Sequence, residues 1–501
     1  MKLRLYLLII LLLGFALRLY HLAHLSVWLD ESHSIFAAHL ALPELLQFVA
    51  SRSHPPLYFL QLHGWIVLGD SEFVVRFLSV VWGMVGIAAL YALGRRFLGV
   101  RTGTLAALLL AVSPIHVWHS QDARMYTLLL SLAILSSYFL LRALTASRPA
   151  LWLAYGLLAA GTLYTHNTAA LTLAAQALLA VIYIVATRQW QRLRGIALAL
   201  TILAVLYLPW LPLAASQASR LQQQFWITPP APRSILDTFA YLSSAFLFQN
   251  SPWHSNLDTW PGSLLYLTYV GMFLLGAWQV VCRRYHALFL FLLIVVPIAG
   301  EYAVSLVRPI YLNRTLLVAA APLLILYAAG TFQRPGWTRR AAHALLVLAL
   351  ALNVCSLANM FRSATKEGWR EAARLVSDLA QPGEAIFFDQ GVVQVPFDYY
   401  YHRSGLQLHE YGYPRDYTYW EEQASLEGDQ WWVIDYLATD PSKALTRLAG
   451  AAQEYSAVWL AVNRPMSGGR LETWLRENST RAENYTFPAV TVYRFEMRDS
   501  Q

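Results

Sequence analysis

A chain of 501 residues in which 57% are hydrophobic and 13% are charged carries more apolar surface than a soluble fold of this size can bury. The net charge of +8 is uneven, because Lys and Arg dominate up to about residue 360 and Asp and Glu dominate beyond it. The positive charge is scattered in short loops rather than gathered into a patch, which excludes a nucleic-acid-binding protein.

Eleven apolar runs are long enough to cross a hydrocarbon core of about 30 Å as helices. The first begins behind Lys2 and Arg4, and no small-residue cleavage site follows it, so we interpret it as a retained signal-anchor helix. The runs fall near residues 5–22, 73–94, 102–118, 125–144, 151–165, 168–187, 195–215, 263–281, 287–307, 313–331 and 341–359.

The basic residues between these runs predict their orientation. If the N-terminus is cytoplasmic, every inner loop carries Lys or Arg and none carries Asp or Glu, which is the positive-inside pattern. An odd number of spans then places the C-terminal residues outside, together with the loops 23–72 and 216–262.

Beyond residue 360, helical and strand patterns alternate. We therefore expect a multi-pass α-helical membrane domain over residues 1–360 and a soluble extracytoplasmic α/β domain over residues 361–501. The helical patterns fall at 367–380 and near 441–451, and the strand patterns at 385–389, 431–436, 455–462 and 487–495.

The first outer loop begins with the carboxylate pair Asp30 and Glu31, directly after the first run. Such a pair can divide the work of catalysis, since one carboxylate can act as a general base while the other binds a cation or an acceptor group. The alternative is a solvated loop in which Asp30 is a helix N-cap.

The same loop continues to His54, which precedes Pro55 and Pro56. The two prolines predict a turn before a helix that lies along the membrane interface. His54 would then lie at headgroup depth, where it either contacts a phosphate or makes an ordinary hydrogen bond.

A very short outer turn contains Asp122, Arg124 and Tyr126. Arg124 either pairs with Asp122 for stability or presents its planar guanidinium to a phosphate.

Glu301 is the one acid that we place within a run, near its outer end, and Arg308 and Arg314 flank the next outer turn. A buried acid needs a partner, so a stabilising Glu301–arginine pair is the simplest interpretation, with a phosphate or metal contact as the alternative.

The chain has 14 histidines, and several lie near the predicted outer face, including His119 and His166. None has tight ligand spacing of the His-Glu-x-x-His kind. We therefore expect no cofactor, with a divalent metal as the weaker alternative.

Taken in order, these features resemble the GT-C membrane glycosyltransferases, in particular the family 39-like proteins related to protein O-mannosyltransferases and to the transferase that adds aminoarabinose to lipid A. The resemblance covers residues 1 to about 330, and a further segment at 366–373 is similar to the junction into the soluble domain of bacterial members. The motifs are Asp30-Glu31, His54-Pro55-Pro56-Leu57, Gln121–Tyr126 and Tyr311–Arg314.

This resemblance implies a polyprenyl-phosphate sugar donor and transfer, with inversion, to a lipid, glycan or protein acceptor outside a bacterial inner (plasma) membrane. It implies that Asp30 is the general base, and that Glu31 and Asp122 orient acceptor or sugar. It also implies that Arg124, Arg314 and His54 surround the phosphate, with Tyr126 and Glu301 in the same donor site.

Two other classes of protein remain open. A flippase or transporter for lipid-linked sugars would share the many spans, but it favours polar groups near the middle of the membrane, whereas here they cluster at one face. A non-catalytic scaffold leaves the outer charged residues unexplained. The sequence identifies neither the sugar nor the acceptor, and we expect acceptor choice to depend on the loop 216–262 and the C-terminal domain.

Overall fold

The computed structural model describes residues 2–52, 54–146, 148–220, 227, 229–244, 246, 260–281, 283–332, 336–401, 408–413, 441–463, 465 and 467–498. The chain divides into two compact units. The membrane unit comprises Met1–Leu22 and Ser53–Ala364, and the sheet unit comprises Ala23–Arg52 and Thr365–Gln501.

The described helices and strands are given in chain order. The helices are α1 (Lys2–Leu19), α2 (Leu29–His39), α3 (Leu42–Ser51), α4 (Leu57–Trp65), α5 (Glu72–Leu98), α6 (Val100–Ala111), α7 (Pro114–Ser120), α8 (Tyr126–Ala146), α9 (Pro149–Leu163), α10 (Ala169–Thr187), α11 (Arg192–Tyr207), α12 (Leu211–Arg220), α13 (Ser234–Ser244), α14 (Trp260–Val281), α15 (Arg284–Ser305), α16 (Ala320–Thr331), α17 (Trp337–Ser363), α18 (Trp369–Leu379), α19 (Gln394–Tyr401), α20 (Pro441–Ala452) and α21 (Arg470–Glu477). The strands are β1 (Ala385–Phe388), β2 (His409–Gly412), β3 (Ala457–Val462), β4 (Ser479–Phe487) and β5 (Val490–Met497), and short 3₁₀ helices occupy Ile66–Leu68, Thr315–Ala319 and Gly391–Val393.

The membrane unit is a multi-pass helical fold. Six of the described helices are long and apolar enough to cross a bilayer, or eight if the bent pairs α6–α7 and α11–α12 each form one span. The predicted count of eleven is not confirmed, because the runs at 151–165 and 313–331 form shorter helices and two runs are broken. Helix α1, over the first run, contains Lys2, Arg4 and Arg18 and is not among the helices counted. Pro114 explains one break, since proline cannot continue α6 but is well placed at the start of α7.

Small residues let the membrane helices pack closely. A Cβ at Gly276 of α14 would overlap the backbone of Leu326 in α16, and one at Gly330 would lie 2.8 Å from the nitrogen of Gly276. Membrane helices commonly associate through close backbone contact at glycine, because the hydrophobic effect contributes little to helix association within lipid. All twelve residues of α16 are accordingly buried.

The sheet unit is an α/β fold with one five-stranded sheet in the order β2-β1-β3-β5-β4. Strand β1 is parallel to β2 and β3, whereas β5 is antiparallel to β3 and β4. One face packs against α18 and α19 through Trp369 and Phe397, and the other packs against α20 and α21 through Leu448 and Leu475. The expected α/β class is confirmed.

Several predicted elements of the sheet unit differ in detail. The strand predicted at 487–495 corresponds to β5, which forms an antiparallel hairpin with β4. Strand β4 was not predicted, because most of its side chains are polar and face outward. The predicted strand at 431–436 lies outside the described residues, as do residues 221–226, 228, 245 and 247–259 of the loop 216–262.

The segment 23–52 packs with the C-terminal residues, although the sequence suggested that the whole loop 23–72 belongs to the membrane domain. The boundary after residue 364 also lies slightly beyond the predicted one. Arg370 explains the grouping, because its guanidinium donates to the carbonyls of Ala23, His24 and Leu25 over 2.9–3.2 Å. Tyr400 adds a contact, since its hydroxyl accepts the backbone N–H of Val27 at 2.7 Å.

Candidate functional site

Polar side chains from four separate turns meet in the membrane unit, and we call them the His–Arg cluster: His54, Arg124, His166 and Arg314. Arg124 donates through Nη2 to Nε2 of His54 at 3.1 Å, and the rings of His54 and His166 lie 5.6 Å apart. The charges of Arg314 and Arg124 both act on His166. Arg124 is 3% exposed and Arg314 8%, so the cluster concentrates positive charge in a largely buried place.

The turn that carries Arg124 is fixed by α5. The hydroxyl of Ser79 donates to the carbonyl of Arg124 at 3.2 Å and lies 3.3 Å from the hydroxyl of Tyr58. Thr127, at the start of α8, donates to the carbonyl of Ser79 at 3.1 Å. These bonds fix the backbone of the turn from which the Arg124 guanidinium extends, which favours recognition of a ligand with fixed geometry.

His166 is a neutral hydrogen-bond donor. Its Nδ1 accepts the backbone N–H of Thr168 at 3.2 Å and lies 2.9 Å from that residue's hydroxyl, so the ring proton is assigned to Nε2. Burial, together with the charges of Arg314 and Arg124, lowers the pKa of His166 to about 3. The cluster therefore offers two permanent cations and one uncharged N–H group.

Tyr126 and Asp122 lie next to the cluster. The guanidinium carbon of Arg314 lies 5.7 Å from the centre of the Tyr126 ring, a cation–π contact. Asp122 is buried, and its charge acts on Tyr241, whose pKa is raised chiefly by burial. The hydroxyl of Tyr241 lies 2.6 Å from Nε2 of His119, so a layer of aromatic and polar groups adjoins Arg314.

Glu301 is fully buried near the end of α15, where its Oε1 accepts a hydrogen bond from the Thr315 hydroxyl at 2.5 Å. The expected Glu301–arginine pair is wrong for the described residues, because a hydroxyl takes the place of the cation. Thr315 directly follows Arg314 in the sequence. Glu301 therefore helps to hold the turn that carries Arg314 through its hydrogen bond with Thr315.

In the sheet unit, Asp30 and Glu31 occupy the first turn of α2. The N-cap is Trp28, so the interpretation of Asp30 as a cap is wrong. Glu31 is fully buried and pairs with Lys366 over 2.9 Å, with both side chains at most 5% exposed. Asp30 is half-buried.

A family model described as dolichyl-phosphate-mannose-protein mannosyltransferase matches residues 53–212, a stretch that contains His54, Asp122, Arg124, Tyr126 and His166. Comparison with curated protein sequences found no match.

Solved structures match over nearly the whole chain. ArnT from Cupriavidus metallidurans in the apo state is 13% identical, with 98% of this chain and 97% of that chain covered and a TM-score of 0.62. The chain has the GT-C fold. ArnT bound to undecaprenyl phosphate gives 14% identity, the same coverage and a TM-score of 0.56. The oligosaccharyltransferase AglB from Archaeoglobus fulgidus, in complex with an inhibitory peptide and a dolichol-phosphate, gives 12% identity, coverage of 100% and 74%, and a TM-score of 0.55. The resemblance inferred from the sequence motifs is confirmed.

Two residues of this GT-C fold were missed as site candidates. Lys366 is the buried partner of Glu31, and its only sequence signal is its place in the segment 366–373. His166 was noted among many histidines, and only the structure shows that it joins two arginines from distant turns. Among the described residues, no three His, Cys, Asp or Glu side chains are grouped so that they could hold a metal ion.

Proposed function

We propose that the chain is an inverting glycosyltransferase that moves a sugar from a polyprenyl-phosphate donor to a lipid, glycan or protein acceptor outside the membrane. The observation that carries this proposal is the His–Arg cluster. Arginine guanidiniums and a neutral histidine N–H are groups that bind phosphate oxygens well. The family match over residues 53–212 supports the proposal, as do the bound undecaprenyl phosphate and dolichol-phosphate of two structures with this fold.

The proposed reaction assigns the phosphate to the membrane unit. The bond between the anomeric carbon and the phosphate oxygen breaks, and its electron pair leaves with the phosphate. Arg124 and Arg314 stabilise the negative charge that develops on that group, while His54 and His166 fix its orientation. Asp122 and Tyr126, beside Arg314, orient the sugar, and Glu301 supports the turn of Arg314 through Thr315.

Asp30 is the proposed general base. It takes the proton of the acceptor hydroxyl as the acceptor oxygen forms its bond to the anomeric carbon, opposite the departing phosphate. Glu31 is a positioning residue in this proposal, because its ion pair with Lys366 holds the first turn of α2 in place. The chemistry uses no resident metal.

The proposed orientation has the N-terminus in the cytoplasm and the sheet unit outside, in a plasma membrane that is the inner membrane of a bacterium. The distribution of Lys and Arg between the apolar runs supports this arrangement. The sheet unit and the loop 216–262 then choose the acceptor, since surface segments vary more freely than the helices that hold the chemistry.

Binding of a polyprenyl monophosphate to the purified protein tests the cluster. We expect Arg124→Gln to weaken binding about 10- to 100-fold, because a hydrogen bond to a charged group is worth roughly 1.5–3 kcal/mol. Arg192→Gln is the matched control, since Arg192 is also a buried arginine of the membrane unit, bonded to Gln189 and to the carbonyl of Thr145. Equal affinity of Arg124→Gln and wild type, or equal loss in both variants, would contradict the proposed phosphate site.

A further inference from the structure

Arg18, in α1, is completely buried in the membrane unit and contacts both sides of the break between α6 and α7. Among the described residues, none of its hydrogen-bond partners is a carboxylate. The guanidinium bonds to the carbonyl of Gly14 at 2.7 Å, the carbonyl of Ala111 at 3.1 Å, the carbonyl of Leu110 at 3.3 Å, Oγ of Ser120 at 3.1 Å and Nδ1 of His116 at 2.6 Å.

These contacts provide hydrogen-bond donors for backbone carbonyls at the break between α6 and α7. Leu110 and Ala111 lie in the last turn of α6, whose carbonyls have no i+4 partners within the helix and carry the negative end of its dipole. Of these two carbonyls, that of Leu110 also accepts the backbone N–H of Ser113 at 3.3 Å. Pro114 prevents the helix from continuing, and lipid supplies no hydrogen bonds in place of the missing ones. One guanidinium caps α6 and also holds α7 through His116 and Ser120, so it fixes the 62° bend between them.

The contact is reciprocal. Gln121, the residue after α7, donates through Nε2 to the carbonyl of Arg18 at 3.0 Å and to the carbonyl of Tyr20 at 2.6 Å. Asp122 and Arg124 follow within three residues. The C-terminal end of this turn is bonded to α5, because Ser79 donates to the carbonyl of Arg124. The position of its N-terminal end, at Gln121, therefore depends on the contacts with Arg18.

We infer that Arg18 is a positioning residue, which fixes the break between α6 and α7 and so sets where the Gln121–Tyr126 turn presents Arg124 to a phosphate. This inference rests on the proposed function, because the turn that Arg18 of α1 positions carries Arg124 of the proposed phosphate site. Arg18 does so without contact with the ligand, because its own donors are all engaged by α1, α6 and α7.

Two measurements on Arg18→Met test the inference, with Arg192→Met as the matched control. Hydrogen exchange should become faster across residues 112–126 but not elsewhere in the membrane unit, because the break loses its cap. The dissociation constant for polyprenyl monophosphate should rise about 10- to 100-fold, as expected when a binding group is displaced by roughly 1 Å. Arg192→Met should change neither quantity. Unchanged exchange and unchanged affinity in Arg18→Met would overturn the inference.

Two more variants separate positioning from general destabilisation. Arg18→Lys keeps donors for the carbonyls of α6 and should recover part of the affinity. Gln121→Leu, at a half-buried position, should reproduce the local exchange and the loss of affinity even if Arg18→Met does not fold. The inference would be overturned if, in all variants, the loss of affinity for polyprenyl monophosphate were proportional to the fall in melting temperature and hydrogen exchange across residues 112–126 did not change. If wild type binds no polyprenyl monophosphate, the proposed function fails, and the exchange data alone still decide the role of Arg18.

Discussion

The side chains of the His–Arg cluster differ in how they respond to pH. Arg124 and Arg314 stay protonated throughout the physiological range. His166 stays neutral, because burial and the two nearby guanidiniums lower its pKa to about 3. A phosphate held there therefore meets the same two charges and the same neutral His166 N–H at every pH between about 5 and 8.

The low pKa of His166 predicts how stability depends on pH. The unfolded chain binds a proton at His166 below its ordinary pKa of 6.5, whereas the folded chain does not do so until about 3. The unfolded state thus binds more protons in that window, so His166 makes the protein less stable as the pH falls from 6.5 toward 3. We expect the melting temperature of His166→Gln in detergent to fall less between pH 7 and pH 5 than that of wild type, while the exposed-site control His409→Gln follows wild type. Parallel profiles for His166→Gln and wild type would rule out this low pKa.

The residues of the site were recognisable from sequence to different degrees. Asp30, Arg124 and Arg314 stand out because a charged group beside an apolar run is rare without a reason. His166 does not stand out, because its neutral state depends on Thr168 and on arginines brought from other turns by the fold. Arg18 lies inside the first predicted run, where the sequence gives no sign that a broken helix needs a cap.

Helix α2 is positioned by a buried ion pair. Removing the cation alone leaves the buried Glu31 carboxylate without the ammonium group of Lys366, and breaking a buried ion pair in this way typically costs about 3–5 kcal/mol, whereas replacing both groups with apolar side chains is often neutral. We expect Lys366→Met to destabilise the protein strongly, and Glu31→Leu/Lys366→Met to recover most of the loss, in denaturant melts that give the free energy of unfolding.

Arg481→Met provides the comparison for this ion pair. Arg481 is largely exposed and pairs with Glu483 at the surface of the sheet unit, so its removal should cost at most about 1 kcal/mol. If Lys366→Met cost no more than Arg481→Met, or if the double variant were as unstable as the single one, Glu31 would not hold α2 as proposed.

The helices and strands were predictable where the apolar pattern is strong. Each membrane run contains a helix because its backbone polar groups must be satisfied internally. The number of spans was not predictable, because prolines near residues 114 and 209 break two runs without interrupting their hydropathy. Strand β4 was hidden by its polar, outward-facing side chains.

At the scale of the whole molecule, the sequence predicted a membrane part and an α/β part but not where the segment 23–52 belongs. Its grouping with the C-terminal residues depends on single long-range bonds, such as those from Arg370, which leave no periodic signal. The carboxylate assigned as the base therefore belongs to a different unit from the His–Arg cluster.

The most direct test of the transferase is release of polyprenyl phosphate by the purified protein from a panel of polyprenyl-phosphate sugars, with a membrane extract as the acceptor. We expect release by wild type, the same rate with EDTA, and loss of release in folded Asp30→Asn, while Asp378→Asn, at an exposed acid of α18, keeps the wild-type rate. In sealed right-side-out vesicles, donor and acceptor added outside should be sufficient. No release from any donor despite tight lipid binding would contradict the proposed transferase activity, and full activity of Asp30→Asn would contradict the role of Asp30 as its base.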